Sequence, residues 1–254
     1  MADAGDDKER VTAAVLVIGD EILSGRTQDA NSPYIAKYLA QVGIDLCEIR
    51  VVPDDEDEIV AAVNALRARY DYVFTTGGIG PTHDDITADA IGRAFGVEVG
   101  EDQRAIAMLL ERIAPEQLNA ARRRMARVPK GAALVENPIS KAPGFMIENV
   151  VVMAGVPVIM QAMLDAVAPR LKTGARVLVE TADAGNIPEG RYAAGLEAIA
   201  RAHESVSVGS YPSFSRAGVR NQIVLRSRDA ERLREAARAV RDLIAGLAND
   251  RGVT

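Results

Sequence analysis

Short unbroken apolar runs, each followed by a segment of helical period, limit the folds open to this chain. Val15-Leu16-Val17-Ile18 ends in Gly19, Ile44 to Val52 is closed by Pro53, and Tyr72-Val73-Phe74-Thr75 runs into Thr76-Gly77-Gly78. A strand that is apolar at successive positions has both faces covered, as inside a parallel sheet flanked by helices. Between the runs lie helical patterns. Asn31 to Val42 places Tyr34, Ile35, Tyr38 and Leu39 on one face before Gly43, and Ile59, Val63, Leu66 and Tyr70 repeat that spacing. Further helices are predicted at about 84–95, 101–113, 115–126 and 158–171, and short strands at 133–135, 144–147 and 150–153. This order predicts an α/β fold with a three-layer, mostly parallel sheet.

After Gly174 the pattern restarts. A strand is expected at 176–180, a helix at 188–202, and strands at 206–209 and 222–226 around a polar loop. The closing helix from Asp229 carries Leu233, Ala236, Val240, Ile244 and Leu247 on one stripe. The expected organisation is a disordered leader over 1–12, a large domain over 13–172, and a small α+β domain over 175–254.

Composition excludes several function classes. With 48% hydrophobic and 26% charged residues the chain is too apolar for disorder. A net charge of −6 is wrong for a general nucleic-acid binder, which needs a cationic field, so no nucleic-acid partner is expected. No apolar stretch approaches the ~18 residues of a membrane span, and no membrane partner is expected. The start, MADAGDDKER, is the opposite of a secretory leader, and the single Cys47 suits a reducing compartment. A cytoplasmic location follows as the expectation. Two histidines, His83 and His203, are a thin supply for a histidine-built zinc site or a Ser-His-Asp triad.

Ligands of open parallel sheets bind beyond the carboxyl ends of the strands. Two loops there stand out. The first carries Gly19, Asp20, Glu21, Gly25 and Asp29 and ends at the helix start Asn31; the second runs Thr76-Gly77-Gly78-Ile79-Gly80-Pro81-Thr82-His83-Asp84-Asp85. Glycines directly after a buried strand let main-chain N–H groups approach an anion, and the next helix adds its dipole. Phosphate or pyrophosphate is the natural guest, and a tight structural turn is the plain alternative. The spacing is not that of a dinucleotide fingerprint, and no Gly-Lys-Ser/Thr of a Walker loop exists. Asp85 reads two ways. Thr82-x-x-Asp85 has capping-box spacing, whereas a carboxylate facing a phosphate pocket would hold a divalent cation, with Asp20 and Asp29 converging on it. An all-oxygen set suits Mg²⁺. The acidic run Asp54 to Glu58 reads as charge at a helix N-terminus. Arg122-Arg123-Arg124, Arg127 and Lys130 either reach a ligand phosphate or solvate a helix end.

Together these loops resemble the MoaB/Mog molybdopterin-binding domain, in the form found at the N-terminus of CinA and of eukaryotic FAD synthase. Asn137-Pro138, Ala142-Pro143-Gly144-Phe145 and Gly155-Val156-Pro157 follow in the family's order, and Gly209-Ser210-Tyr211-Pro212 with Asn221 to Leu225 resembles the second half of the FAD synthase N-terminal region. The resemblance implies catalytic roles for Asp85 and Asp84, and metal binding by Asp85, Asp20 and Asp29. It implies a ligand pocket built from Gly19, Asp20, Glu21, Gly25, Asp29, Asn31, Thr76, Gly77, Gly78, Gly80, Thr82, Lys141, Gly155 and Pro157. The implied activity is binding of a phosphate-bearing pterin or dinucleotide and metal-assisted hydrolysis of a nucleotide pyrophosphate, FAD or ADP-ribose, with Mg, Mn or Co as cofactor. The alternatives are a non-catalytic molybdopterin or nucleotide module, and a molybdopterin adenylyltransferase of molybdenum cofactor biosynthesis. A homo-oligomer is implied as well. The chain departs from the family at Ala154, usually proline, and at Ser140-Lys141, usually Gly-Thr.

Overall fold

Strand β1, Val11–Ile18, is buried along almost its whole length and feeds two cores at once. The computed structural model describes residues 10–215 and 218–249. Ala14, Leu16 and Ile18 of β1 point into one core and Val11, Ala13, Val15 and Val17 into the other, because successive side chains of a strand leave on opposite faces. The unbroken apolar run thus reports two helical layers. The expected leader over 1–12 ends too late: Val11 already pairs with Ile44, and the Thr12 N–H and hydroxyl both donate to Asp71. Residues 1–9 of that leader lie outside the described residues.

After α1 (Asp20–Leu23) and α2 (Asn31–Gln41) come β2 (Ile44–Val52), α3 (Glu56–Arg67), β3 (Tyr72–Thr76) and α4 (Thr87–Phe95). A ribbon of β4 (Val99–Glu101) and β5 (Arg127–Pro129) brackets α5 (Gln103–Leu110) and α6 (Ala120–Arg124). Strands β6 (Ala133–Val135), β7 (Gly144–Ile147) and β8 (Val150–Met153) then lead into α7 (Pro157–Val167). The six-stranded sheet has the order β2-β1-β3-β8-β7-β6, parallel from β2 to β8 and antiparallel beyond. Helices α2 and α7 cover one face and α3, α4 and α5 the other, so the three-layer α/β architecture is present as expected.

Three local expectations need correction. The helix predicted from Asp84 begins at Thr87, because residues 79–86 form a loop held by Asp85. The helix predicted over 115–126 is a short turn at Pro115–Gln117 followed by α6, restarted by the Asn119 side chain accepting from the Arg122 N–H. The β4–β5 ribbon was absent from the expectation, since three-residue strands carry too few alternations to register.

The chain divides into two compact units after Gly174. The second contains β9 (Leu178–Gly185), α8 (Glu189–Ala202), β10 (Ser207–Ser215), β11 (Gly218–Ser227) and α9 (Ala230–Asn249). Its sheet is antiparallel in the order β10-β11-β9, with Leu233, Ala236 and Val240 of α9 packed on Ile223 and Leu225. The polar loop expected between 209 and 222 is mostly strand: β10 and β11 pair as far as Ser215 and Gly218, and residues 216–217 lie outside the described residues. Among the described residues no helix is long and apolar enough to cross a membrane.

Candidate functional site

The chain leaves β1 toward β2 on one side and leaves its neighbour β3 toward the β8 side on the other, so the two connections diverge. That divergence opens a crevice beyond the carboxyl ends of β1 and β3, where open α/β sheets place their ligands. Three loops meet there. Gly77 N–H donates to Met153 O (3.2 Å), Asn31 Nδ2 donates to Gly155 O (2.8 Å), and Gly19 N–H donates to Val52 O (3.1 Å). Glycine is required in the turn after β3. At Gly77 the φ angle is +108° and a Cβ would lie 2.1 Å from Ile18 O; at Gly78 φ is +66° and a Cβ would lie 2.1 Å from the Thr87 hydroxyl. The turn is therefore pressed onto the end of β1. Gly77 and Gly80 spend their N–H groups on Met153 O and Asp85, and among the described residues the Gly78 and Ile79 N–H groups meet no protein acceptor.

Asp85 organises its own loop. Its Oδ1 accepts the Gly80 N–H at 2.7 Å, and its Oδ2 accepts the Thr82 N–H at 2.7 Å and the Thr82 hydroxyl at 2.6 Å. Half of the capping box is present, the bond back to Thr82, but it closes a loop ahead of α4 rather than starting the helix. Asp29 is similarly occupied: its Oδ1 accepts from Asn31 and Ser32 N–H and caps α2. Asp20 is exposed at the start of α1, with Glu21 folded back under Gly19. Among the described residues no three His, Cys, Asp or Glu side chains group as a metal-ligand set. The expected convergence of Asp20, Asp29 and Asp85 is thus corrected: two of the three are turned inward onto main-chain amides. Lys141, expected at a phosphate, instead pairs through Nζ with Glu111 at 2.6 Å and stands in the left-handed region at φ +63°. Gly25 lies in an exposed left-handed turn and Pro157 opens α7. Asp84 is exposed, and the Thr82 hydroxyl, with its own backbone amide and the charges of His83 and Arg124, holds its carboxyl below the ordinary range.

One carboxylate escaped the sequence reading. Within the run 54–58, Asp55 caps α3 by accepting from Asp57 and Glu58 N–H, and Glu56, Asp57 and Glu58 fill its first turn, as expected for helix-dipole charge. Asp54 does something else: its Oδ2 accepts the Asp20 N–H at 3.0 Å, from the loop after β1. Burial pushes its carboxyl above the ordinary value of 3.8, the Asp20 hydrogen bond pulls it back, and the charges of Asp20, Glu21 and Asp84 push it up again. The signal was its position, two residues past the carboxyl end of β2 beside β1. A carboxyl whose folded-state value exceeds its unfolded one binds its proton more tightly when folded. Stability therefore falls as pH rises from 3.8 through the raised value, and the penalty is fully present above it. We expect Asp54→Asn, which keeps an acceptor for Asp20, to raise the thermal midpoint at pH 7, with the gain vanishing toward pH 4. A neutral-pH melt below wild type would contradict this.

Among the described residues, four polar atoms at the same end of the sheet are buried without a hydrogen-bond partner: Asn31 Oδ1, Ser32 Oγ, Thr75 Oγ1 and Thr76 Oγ1. Large apolar side chains stand exposed after β1 and β8, Leu23 at 54%, Val156 at 53% and Val158 at 56%. Of the helices that follow the parallel strands, α2 has its terminus capped by Asp29, whereas α4 and α7 have no side-chain cap.

Comparison with known proteins agrees with this fold. Residues 14–173 match the family described as probable molybdopterin binding domain, and residues 184–250 match the FAD synthase middle domain. A protein of Archaeoglobus fulgidus is 32% identical over 230 residues, covering 91% of this chain and 96% of its own. A probable FAD synthase of Caenorhabditis elegans is 29% identical over 94% of this chain, which spans 51% of the worm protein. The crystal structure of CinA from Thermoplasma acidophilum, a protein of unknown function, superposes with a TM-score of 0.61 at 33% identity over 63% of this chain and 98% of that one. The first match spans more than half of the sequence and covers the crevice with all three of its loops, and the chain accordingly belongs to the MoaB/Mog-like molybdopterin-binding domain family, in a CinA-like form followed by a segment similar to the FAD synthase middle domain.

Proposed function

We propose that the first unit binds a phosphate-bearing heterocyclic ligand, a pterin or a dinucleotide, in the crevice between β1 and β3, and hydrolyses the pyrophosphate of FAD or ADP-ribose with a divalent cation. The observation that carries this reading is the hydrogen bond from the Asp20 N–H to Asp54 Oδ2 at 3.0 Å, which sets two carboxylates together at the carboxyl ends of β1 and β2, in the unit whose glycine turn lies against the end of β1. Phosphate oxygens would accept from the Gly78 and Ile79 N–H groups and face the uncapped termini of α4 and α7. The heterocycle would lie along the apolar rim of Leu23, Val156 and Val158. The Thr75 and Thr76 hydroxyls and the Asn31 carbonyl give the floor unspent polar capacity. Asp20 and Asp54 are the residues that would hold the cation, with ligand phosphates completing its shell; Mg²⁺ tolerates so small a protein contribution, and Mn²⁺ or Co²⁺ would substitute. Such a cation neutralises pyrophosphate charge and lowers the proton affinity of water. Asp85 acts from inside the loop, keeping Gly80 and Thr82 in place so that the turn is formed before ligand arrives.

The second reading, a pterin or nucleotide module without chemistry, is favoured by the lack of a three-carboxylate group among the described residues. The two separate cleanly. Purified full-length protein is incubated with FAD or ADP-ribose and Mg²⁺, Mn²⁺ or Co²⁺, and AMP is followed by chromatography. Hydrolysis predicts AMP release that EDTA abolishes and that Asp54→Asn reduces by roughly 100-fold or more, on the scale of a lost metal-holding group. Ligand binding by calorimetry that is indifferent to chelator, with no AMP formed, decides for the module.

A further inference from the structure

The arginine-rich segment 122–127 does more than solvate a helix end: Arg124 and Arg127 line a small cavity together with Gly78, Gly80 and Asp85. Arg122 Nη1 donates to Gln117 O (2.7 Å), Arg123 Nη1 pairs with Glu101 (2.9 Å), and Arg127 grips Asp89 on α4 with two bonds of 2.6 Å. Arg124 differs from all three, since its partners are main-chain carbonyls of the Asp85 loop. Its Nε and Nη2 donate to Asp85 O at 3.3 and 3.1 Å, and Nη2 also donates to His83 O at 3.3 Å.

We propose that Arg124 is a positioning residue for the 79–86 loop, setting the His83–Asp84 and Asp85–Ile86 peptide planes and thereby the alignment of the proposed phosphate turn. Among the described residues the other hydrogen bonds within 80–85 are internal to the loop: the Asp85 carboxylate on Gly80 and Thr82, and the Asp85 N–H on Thr82 O. That bracket fixes the loop's shape, while Ile79 and Ile86 pack its two ends against the core. Arg124 adds a polar tie from α6 to the stretch between them, and Arg127 does the same one step on by holding the first turn of α4. The fork matters. Two carbonyls two residues apart are met by one rigid plane of donors, whereas a lysine ammonium would meet one of them at a time.

An open cleft of ≈ 530 Å³, lined in part by Pro81, His83, Ala121 and Arg124, leaves the guanidinium accessible from solvent. Removing the side chain therefore makes a hole that free guanidinium can enter. The inference rests on the hydrolytic reading for its kinetic arm only. In Arg124→Ala, kcat for AMP release is expected to fall roughly 10- to 100-fold with KM changed far less, the signature of a misplaced rather than a missing contact. Arg124→Lys is expected to recover little, while millimolar guanidinium partly restores Arg124→Ala. Arg123→Ala, on the same helix, is expected to match wild type. The second arm needs no activity: amide hydrogen exchange over residues 82–86 is expected to quicken in Arg124→Ala and not in Arg123→Ala, with the thermal midpoint nearly unmoved. If exchange over 82–86 is unchanged, or if an active wild type and Arg124→Ala share one kcat, the inference is overturned. An inactive wild type would instead sink the proposed function and leave the exchange arm to decide this one.

Discussion

Asp85→Ala should lower pyrophosphatase turnover by about 100-fold or more and destabilise the first unit at the same time. One carboxylate accepts three hydrogen bonds from two residues of its loop, so its removal strands the Gly80 and Thr82 N–H groups together. A hydrogen bond to a charged group contributes about 1.5–3 kcal/mol when well shielded; this site is half-exposed, and about 1–3 kcal/mol for the whole cluster is the reasonable expectation. For a unit of this size that is a fall in thermal midpoint of a few degrees, roughly 2–4 °C per kcal/mol. Asp85→Asn is not a conservative control. Its amide nitrogen would set a donor against one of the same N–H groups, so it should behave more like alanine than like wild type. If Asp85→Ala melted within a degree of wild type and kept full turnover, both the loop-organising role and the catalytic one would be wrong.

Gly77→Ala should be the most destabilising single change in the crevice. Its added methyl would meet Ile18 O at 2.1 Å in a backbone conformation that L-residues avoid. Ile18 ends an interior strand, paired on both sides, and that carbonyl cannot give way without shifting β1 against β2 and β3. Gly96 provides the comparison: it too is left-handed, at φ +65°, but a Cβ there meets nothing within 4 Å. Gly96→Ala should therefore cost only the conformational term, about 1–2 kcal/mol. Gly77→Ala adds overpacking of backbone on backbone and should lose about 3 kcal/mol or more. Denaturant melts followed by circular dichroism would measure both. Equal losses at the two positions would mean that the close approach of the turn to β1 is not what demands glycine.

How far the sequence could be read depends on which residues declare their neighbours. A run such as Val15 to Ile18 states that both faces are buried, and β1 indeed divides its side chains between two helical layers. Glycines 77 and 78 announced a turn pressed against something, although not that the something was Ile18 O. The carboxylates were less legible, because a carboxylate suits an amide as well as a cation. Asp29 and Asp85 looked like pocket residues and are occupied by their own loops. Asp54 looked like helix-terminal charge and faces the loop after β1. The arginines of 122–127 concealed their roles for a related reason: their partners are main-chain oxygens and distant acids, which local sequence does not reveal.

The bond from Asn31 Nδ2 to Gly155 O joins residues 124 positions apart. The crevice floor is consequently complete only when β8 is paired beside β3. A chain halted anywhere before Gly155 possesses the glycine turn and the carboxylates but no pocket to bind with. Ligand should recognise the finished unit and ignore every partial form, so the whole binding energy is coupled to global unfolding. At a ligand concentration of about 100 Kd that linkage adds about 2.7 kcal/mol. A simple melt in the presence of candidate nucleotides and pterins thus becomes a screen for the substrate itself.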